Sequence, residues 1–250
     1  MPSEFDRLCI VLVATRNPLN IGAVARAMSN LGFLRLRVVN PYEASFREAR
    51  SAVGAAPVLA NAEQYKSVAE AVADCSLVVG TTAARHRELH QTLRPLQEGA
   101  PLIRKQLRSG GRVALLFGSE KRGLANDDLS HCHWLMHIPT REEHISMNLG
   151  QAVAICLYEL ARGAGKVRSG AQNKAAQRAE RLKPATAGEL ERITSILLDA
   201  LRTSGYLGQR PVAAKEEKLR RMVRRLNLSI EDAEVWLGIL RQMVWKMKPK

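Results

Sequence analysis

Residues 113–124, VALLFGSEKRGL, place a continuous apolar run directly before a polar turn that is bounded by two glycines. Such a run is typical of a strand that is buried on both faces of a parallel sheet. Ligands of open α/β sheets bind outside the carboxyl ends of the strands, which is where this turn begins. The stretch therefore predicts an α/β fold with a binding site at the ends of its strands.

Further apolar runs alternate with helical patterns on both sides of this stretch. We predict strands over residues 8–14, 34–40, 75–80, 113–118 and 134–138, and helices over residues 21–31, 69–73, 102–107 and 147–162. Alternation of buried strands with helices predicts a mostly parallel sheet with helices on both faces. The fold class is therefore α/β, and we expect this domain to span residues 1–162.

The composition changes after residue 162. Residues 163–185 are small, polar and basic, so we interpret them as a flexible linker. Residues 186–250 contain three helical patterns, at 187–204, 213–226 and 229–247, which predict a small all-α C-terminal domain.

The positive charge is concentrated in this C-terminal part. Residues 161–250 carry 20 Lys and Arg against 9 Asp and Glu, a net charge of +11, whereas residues 1–160 carry 18 against 15, a net charge of +3. An excess of this size favours a nucleic-acid partner, although a solvated helix face or an anionic membrane would also suit it. Aromatic residues make up only 4% of the chain, which disfavours an RNA-binding surface built on stacked rings.

The four cysteines are far apart in the chain and include no C-x-x-C pair. This spacing predicts buried, reduced thiols and a reducing compartment. No apolar run reaches the roughly 20 residues that span a bilayer, and residues 1–8 do not resemble a secretory signal. We therefore expect a soluble, cytoplasmic protein.

Three segments after predicted strands carry polar residues suited to a ligand: NPLNIGAVAR at 17–26, FGSEKRGL at 117–124 and IPTREEHISMNLGQ at 138–151. We predict Asn20 as the N-cap of a helix that starts near Ile21, and Ser146 and Asn148 as the opening of another helix. Their positions after strands predict that the three segments converge on one pocket. Taken singly, each segment is also compatible with a capped helix or a solvated turn.

Two other kinds of site are disfavoured. The turn at 118–123 has the glycine spacing of a phosphate-binding P-loop, but Leu124 and Ala125 stand where Lys and Ser or Thr are required. A group of histidines and a cysteine invites a zinc interpretation but has no second ligand pair elsewhere, so we expect no metal. Its members are His131, Cys132, His133 and His137.

Taken together, the three segments resemble a known family. Asn20-x-Gly22-x-x-x-Arg26-Ala27, Phe117-Gly118-x-Glu120-x-x-Gly123-Leu124, and Ile138-Pro139 followed by Ser146-Met147-Asn148-Leu149 are similar, in order and spacing, to the three signature motifs of the SpoU-type RNA 2′-O-ribose methyltransferases of the SPOUT superfamily. The resemblance covers nearly the whole chain. It is greatest for the members that methylate the first nucleotide of the tRNA anticodon loop.

The resemblance implies a deep trefoil knot in the sheet domain, a homodimer, and S-adenosyl-L-methionine as the methyl donor, without a metal. By position, the implied cofactor-binding residues are Thr81, Thr82, Ala83, Gly118, Ile138, Ile145, Ser146 and Met147. The implied catalytic residues are Asn20, Arg26, Glu120, Ser146 and Asn148.

Arg26 is the residue that the resemblance assigns to the ribose 2′-hydroxyl, and in a dimer it would serve the pocket of the other subunit. A guanidinium with a pKa above about 12 is a poor base. Binding of the neighbouring phosphate and stabilisation of the developing alkoxide are therefore an alternative role.

RNA contacts are expected from a loop after the third predicted strand and from the basic tail. The residues concerned are Arg85, Arg87, Lys218, Arg221, Arg224 and Arg225. The predicted function is S-adenosylmethionine-dependent 2′-O-ribose methylation of tRNA, at a cytidine or a uridine. A ribosomal RNA substrate, or a catalytically silent RNA-binding or assembly factor with this fold, are the alternatives.

Overall fold

A computed structural model describes residues 4–41, 56–83, 89–141, 143–162, 183–207 and 213–247. Its strands are β1 (Leu8–Val13), β2 (Arg35–Val39), β3 (Glu63–Tyr65), β4 (Leu77–Thr81), β5 (Leu93–Pro95), β6 (Val113–Phe117) and β7 (Trp134–His137). The helices within these ranges are α1 (Pro18–Leu31), α2 (Ala56–Ala60), α3 (Val68–Ala71), α4 (Leu96–Arg108), α5 (Asn126–Ser130), α6 (Leu149–Arg162), α7 (Ala187–Thr203), α8 (Ala213–Arg225) and α9 (Ile230–Met247).

The strands form one seven-stranded sheet in the order β3-β2-β1-β6-β4-β7-β5, and every neighbouring pair is parallel. The central strands β1 and β6 are buried along their whole length. Leu8, Ile10 and Leu12 pack into one hydrophobic cluster, while Val11 and Val13 pack into another on the opposite face. This two-sided burial explains the continuous apolar runs, and the predicted α/β class is confirmed. The trefoil knot stays a prediction.

Helix α1 begins three residues earlier than the sequence predicts. Asn17 is its N-cap and accepts a hydrogen bond from the backbone N–H of Leu19 (2.9 Å), and Pro18 takes the first helical position. The prediction that Asn20 caps this helix is therefore wrong, because proline at the first position fixes the start of the helix before it. Asn20 lies in the first turn instead.

Several short elements were not predicted from the sequence. Strands β3 and β5 have three residues each, and helices α2 and α5 have five. Elements of this length show at most part of a hydrophobic period, which is read over a window of roughly 11 residues or more. The equally short α3, predicted at residues 69–73 and observed at Val68–Ala71, is the exception.

The three predicted C-terminal helices are present as α7, α8 and α9, and they share a small core that includes Leu190, Val223 and Leu240. Residues 163–182 of the predicted linker lie outside the described residues. Its last three residues, 183–185, are hydrogen-bonded to the loop before α9 and to the first residue of α9: Ala185 N–H donates to Leu228 O, and Ile230 N–H donates to Lys183 O (both 2.9 Å).

The C-terminal tail, which consists of helices α7, α8 and α9, is also bound to the sheet domain. The backbone N–H groups of Ala187 and Gly188 donate to the carbonyl oxygens of Cys75 (2.8 Å) and Ala73 (2.9 Å). Because these bonds satisfy free N–H groups in the first turn of α7, they fix the start of the tail against the sheet domain.

Arg220 makes the main charged contact between the tail and the sheet domain. It is 5% exposed, and its Nη1 donates to Ser130 Oγ (2.9 Å) and Asp127 Oδ1 (3.2 Å) of α5. Its Nε donates to both carboxylate oxygens of Glu191 on α7 (3.0 Å each), and its Nη2 donates to Glu216 (2.9 Å). Loss of Glu191 is the costly change here, since it is the least exposed of the three carboxylates and its removal would leave the buried Arg220 without its two-oxygen partner.

All four cysteines are buried and unpaired, as predicted. In the part of the chain that the structure describes, no helix is both long and apolar enough to cross a membrane.

The buried contact between tail and sheet domain predicts a pH-dependent stability. Burial, together with Arg220 and Arg224 nearby, lowers the pKa of His131 to about 3. An unfolded histidine titrates near pH 6.5, so below that pH the unfolded chain gains a proton that the folded chain does not. We expect His131 to lower the free energy of unfolding by about 2 kcal/mol at a pH of about 5 relative to a pH of about 8.

Urea unfolding of wild type and His131→Gln at the two pH values measures this effect. Burial also lowers the pKa of His133 to about 3, so the wild-type chain carries both contributions and the variant removes only one. An equal loss of stability on acidification in both chains would contradict the prediction.

Candidate active site

A cavity of about 480 Å³ lies at the carboxyl ends of β4, β6 and β7. Residues from all three segments that the sequence singled out line it, so the predicted convergence is confirmed. All eight residues that the resemblance assigns to the cofactor are in this lining, and so are Asn20, Glu120, Ser146 and Asn148 from the catalytic set. The structure thus brings together residues that are separated by more than a hundred positions in the chain.

The turn after β6 is closed by a very tight backbone contact at Gly118. A Cβ atom at this position would overlap the carbonyl carbon of Gly123 and the backbone nitrogen of Leu124. Gly123 has a φ of +66° and donates its N–H to Ser119 O (2.8 Å). Gly118 lines the cavity, so this close packing of the turn, which only glycine allows at position 118, shapes the cavity wall.

A chain of hydrogen bonds joins the three segments at the cavity. Asn148 Oδ1 accepts from the backbone N–H of Gly150 (2.9 Å), and its Nδ2 donates to Asn20 Oδ1 (2.8 Å). Asn20 Nδ2 in turn donates to Glu120 Oε1 (2.9 Å). Because the backbone N–H fixes which end of the Asn148 amide faces it, the orientation of each later group follows, and the Glu120 carboxylate is held at the end.

The same bonds correct the prediction for the third segment. Asn148 caps α6, since its Oδ1 accepts from the N–H groups of Gly150 and Gln151, whereas Ser146 lies outside the helix in the lining of the cavity. An asparagine directly before the first helical residue meets the free N–H groups of the first turn, and a serine two positions earlier does not.

The floor of the cavity is apolar and was largely missed by the sequence analysis. It includes Leu129 of α5, Met136 of β7 and Cys156 of α6. Burial raises the pKa of the Cys156 thiol to about 12, so this side chain is neutral and contributes no charge. Leu129 could not be identified because the sequence shows no clear pattern at α5, and from the sequence Cys156 is only one of four cysteines that are predicted to be buried thiols.

Polar groups at the end of β4 and directly after it also line the cavity. Thr81 Oγ1 donates to Leu116 O (2.8 Å), and the Thr82 N–H donates to Met136 O (3.0 Å). An apolar floor flanked by fixed backbone groups suits a flat ring whose edge carries donors and acceptors.

Arg26 is the one member of the predicted catalytic set that does not line the cavity. It lies on α1, more than a turn beyond Asn20, and its side chain is exposed. The structure of a single chain therefore leaves the pocket without the arginine that the resemblance assigns to it.

The predicted RNA-binding residues have different surroundings. Arg85 and Arg87 lie outside the described residues. Lys218 and Arg225 are exposed on α8. Arg221 is mostly buried beside Glu217 (3.3 Å).

Arg224 does not fit the expectation of an exposed RNA contact. Its side chain is 2% exposed, lies 3.6 Å from Glu191, and has its pKa lowered to about 10 by burial. Helix α8 thus turns Arg220 and Arg224 toward the protein and presents Lys218 and Arg225 to solvent.

In the ranges that the structure covers, no group of three or more His, Cys, Asp or Glu could hold a metal ion. His131 and Cys132 are buried near the contact with the tail, and His133 Nδ1 accepts from the backbone N–H of Val78 (3.1 Å). His137 lines the cavity at the end of β7.

Comparisons with known proteins agree with this geometry. The sequence model described as the SpoU rRNA Methylase family matches residues 7–158, which is more than half of the chain. The match covers the sheet and all three segments that line the cavity.

Relatives and a solved structure are similar over nearly the whole chain. The tRNA (cytidine/uridine-2′-O-)-methyltransferase TrmJ of Sodalis glossinidius is 34% identical over 242 residues, which cover 96% of this chain and 92% of the relative. The tRNA (cytidine/uridine/adenosine-2′-O-)-methyltransferase TrmJ of Pseudomonas aeruginosa is also 34% identical, covering 95% and 93%. The crystal structure of TrmJ from Z. mobilis ZM4 superposes with a TM-score of 0.78 at 30% identity, covering 94% of this chain and 98% of that one.

Proposed function

The chain belongs to the SpoU rRNA Methylase family, and we propose that it is an S-adenosyl-L-methionine-dependent 2′-O-ribose methyltransferase of tRNA that acts in the cytoplasm as a homodimer. The observation that carries the proposal is the hydrogen-bonded chain from Asn148 through Asn20 to Glu120. It joins the three motifs at the mouth of a cavity whose lining includes every implied cofactor residue.

The cavity fits the proposed cofactor. The apolar floor beside Thr81 and Thr82 suits an adenine ring, and the close backbone contact at Gly118 keeps the turn after β6 packed as one wall of the cavity. When bound, the sulfonium supplies an electrophilic methyl group. The chain would hold the cofactor through backbone groups of the three turns, and the apolar floor of the cavity would exclude water from it.

The proposed roles of the polar residues follow from their contacts. Asn20 orients the Glu120 carboxylate, which can accept a further hydrogen bond from a substrate hydroxyl. Holding that hydroxyl in line with the methyl group lowers the activation free energy, because the entropy of orienting the two groups is lost on binding and not in the reaction step. Ser146, at the same wall, adds a hydroxyl that can donate or accept.

The homodimer is part of the proposal because of Arg26. An exposed arginine on α1 that does not line its own cavity is suited to reach the cavity of a partner in a symmetric pair. There it would bind the neighbouring phosphate and stabilise charge developing on the attacking oxygen.

The choice of tRNA rests on the relatives and on the charge of the tail. Two relatives that match over nearly the whole chain are named for tRNA, and their names differ in whether adenosine accompanies cytidine and uridine. Residues 161–250 supply a net charge of +11, which suits a polyanion larger than a single nucleotide. We propose the first nucleotide of the anticodon loop as the target.

Transfer of a labelled methyl group to unmodified tRNA, with the modified nucleotide mapped, tests the proposal. We expect label on a ribose of the anticodon loop. Label on ribosomal RNA alone would contradict the tRNA substrate. Cofactor and RNA binding without any transfer would indicate the non-catalytic RNA-binding factor.

The exposed cations of α8 are expected to contribute to RNA affinity. In the double variant Lys218→Gln/Arg225→Gln, we expect weaker tRNA binding and a salt dependence whose log–log slope is smaller by about one for each lost phosphate contact. Both residues are exposed, so stability should not change.

Titration of tRNA at several salt concentrations measures the effect. The matched control is Lys66→Gln/Lys105→Gln, which removes two exposed lysines of the sheet domain. The same affinity loss in both double variants would show that the tail has no specific part in binding.

A further inference from the structure

A second cavity, of about 750 Å³, adjoins the first. Ala14, Arg16, Asn17 and Pro18 line it from the end of β1 and the start of α1. Its remaining lining residues also line the first cavity: Asn20, Ser119, Glu120, Lys121 and Arg122. The hydrogen-bonded pair of Asn20 and Glu120 therefore lies at the boundary between the two cavities.

The lining of the second cavity is strongly positive. Three of its nine residues are Arg16, Lys121 and Arg122, and all three are exposed. Its one carboxylate, Glu120, already accepts a hydrogen bond from Asn20. The 14-residue helix α1 begins in this lining, and the positive end of its dipole adds to the potential there.

The chemistry of this lining selects an anion with several acceptor oxygens. Guanidinium and ammonium groups donate without accepting, so they match a phosphate and offer little to the mixed donors and acceptors of a base edge. The backbone also directs Arg16 here: Ala14 adopts a φ of +51° at the end of β1, Thr15 is buried, and Arg16 follows at the surface.

We propose that the second cavity binds the phosphodiester attached to the ribose that receives the methyl group. The 2′-hydroxyl and the 3′-phosphate are borne by neighbouring ribose carbons. A phosphate held by Arg16 in the second cavity therefore places the 2′-oxygen at the boundary formed by Asn20 and Glu120, facing the first cavity. This assignment deepens the proposed function and rests on it.

Replacement of Arg16 can distinguish a phosphate site in the second cavity from a contribution to cofactor binding. Lys121 and Arg122 line both cavities, so their replacement would also change the proposed cofactor cavity, whereas Arg16 lines the second cavity alone. The test therefore uses Arg16→Gln, with Arg16→Lys to restore the charge. Lys105→Gln, which removes an exposed lysine of α4, is the charge-matched control.

Three quantities are measured for each chain: affinity for tRNA at several salt concentrations, affinity for S-adenosyl-L-methionine by calorimetry, and the kcat and KM of methyl transfer. For Arg16→Gln we expect tRNA affinity to fall and KM to rise by about tenfold, and the salt slope to decrease by about one. Cofactor affinity should be unchanged, and Arg16→Lys should recover part of the loss.

The results that would overturn the phosphate site differ from the result that would overturn the proposed function. Unchanged tRNA affinity and salt slope in Arg16→Gln would overturn the phosphate site, and so would a loss of cofactor affinity. Failure of the wild-type chain to methylate any RNA would overturn the proposed function, while the binding titrations would still decide whether Arg16 holds a phosphate.

Discussion

Replacement of Gly118 by alanine is expected to weaken binding of S-adenosyl-L-methionine by at least about 100-fold. The added Cβ would overlap backbone atoms of Gly123 and Leu124, so the turn after β6 must open. Backbone atoms cannot move aside as the end of a flexible side chain can, and the wall of the cavity shifts with them. Overpacking of this kind also costs about 1–3 kcal/mol of stability. Calorimetry with the cofactor measures the main effect.

Gly238→Ala is the matched control for this variant. Gly238 lies in α9, where an added Cβ would meet nothing within 4 Å. Alanine there should raise stability by up to about 1 kcal/mol, because glycine is the poorer helix former. A Gly118→Ala chain that binds the cofactor as well as wild type would show that the turn is not part of the cofactor wall.

Much of the sheet domain could be predicted because its strands are buried on both faces. Residues 8–13 and 113–117 leave no side of the strand for polar residues, so the sequence marks them by an unbroken apolar run. The position of the site followed from the same pattern. Parallel strands end at one side of the sheet, and the polar turns after β1, β6 and β7 therefore meet there.

The contact between the tail and the sheet domain could not be predicted in the same way. Helix α8 has the composition of a solvated or RNA-binding helix, yet Arg220 and Arg224 are buried. The partners that make this possible for Arg220 lie 29 residues away at Glu191 and 93 residues away at Asp127. The charge pattern along one helix contains no information on such distant partners. It therefore predicts exposed arginines, although the fold buries Arg220 in an ion pair with Glu191.

The order within the first segment was also ambiguous from sequence alone. The sequence predicts Asn20 as the cap of α1, whereas the hydrogen bond from the Leu19 N–H assigns the cap to Asn17. That assignment leaves the side chain of Asn20 available for Asn148 and Glu120, residues that are 128 and 100 positions away. The local rule for helix caps therefore named the wrong asparagine, and Asn20 instead joins the hydrogen-bonded chain at the cavity.

Arg26→Ala is expected to lower the rate of methyl transfer by about 10²- to 10³-fold, the usual cost of removing one group that stabilises developing negative charge. Cofactor affinity should be unchanged, because Arg26 does not line the cavity of its own chain and its proposed contact in the partner's cavity is with the RNA. Its side chain is exposed on α1, so the variant should keep its stability. Single-turnover transfer to tRNA together with calorimetry measures the two quantities. A parallel loss of cofactor affinity would contradict the assignment of Arg26 to the RNA.

Mixing two inactive chains decides which cavity Arg26 serves. One chain carries Arg26→Ala and the other carries Glu120→Gln, which alters the carboxylate held by Asn20. If Arg26 acts in the partner's cavity, each mixed dimer contains one cavity with an intact Glu120 and an arginine from the other chain. An equal mixture that exchanges freely should then recover about a quarter of the wild-type rate, since half of the dimers are mixed and each has one complete site. If Arg26 acts in its own cavity, every cavity in the mixture lacks one of the two residues and no activity returns.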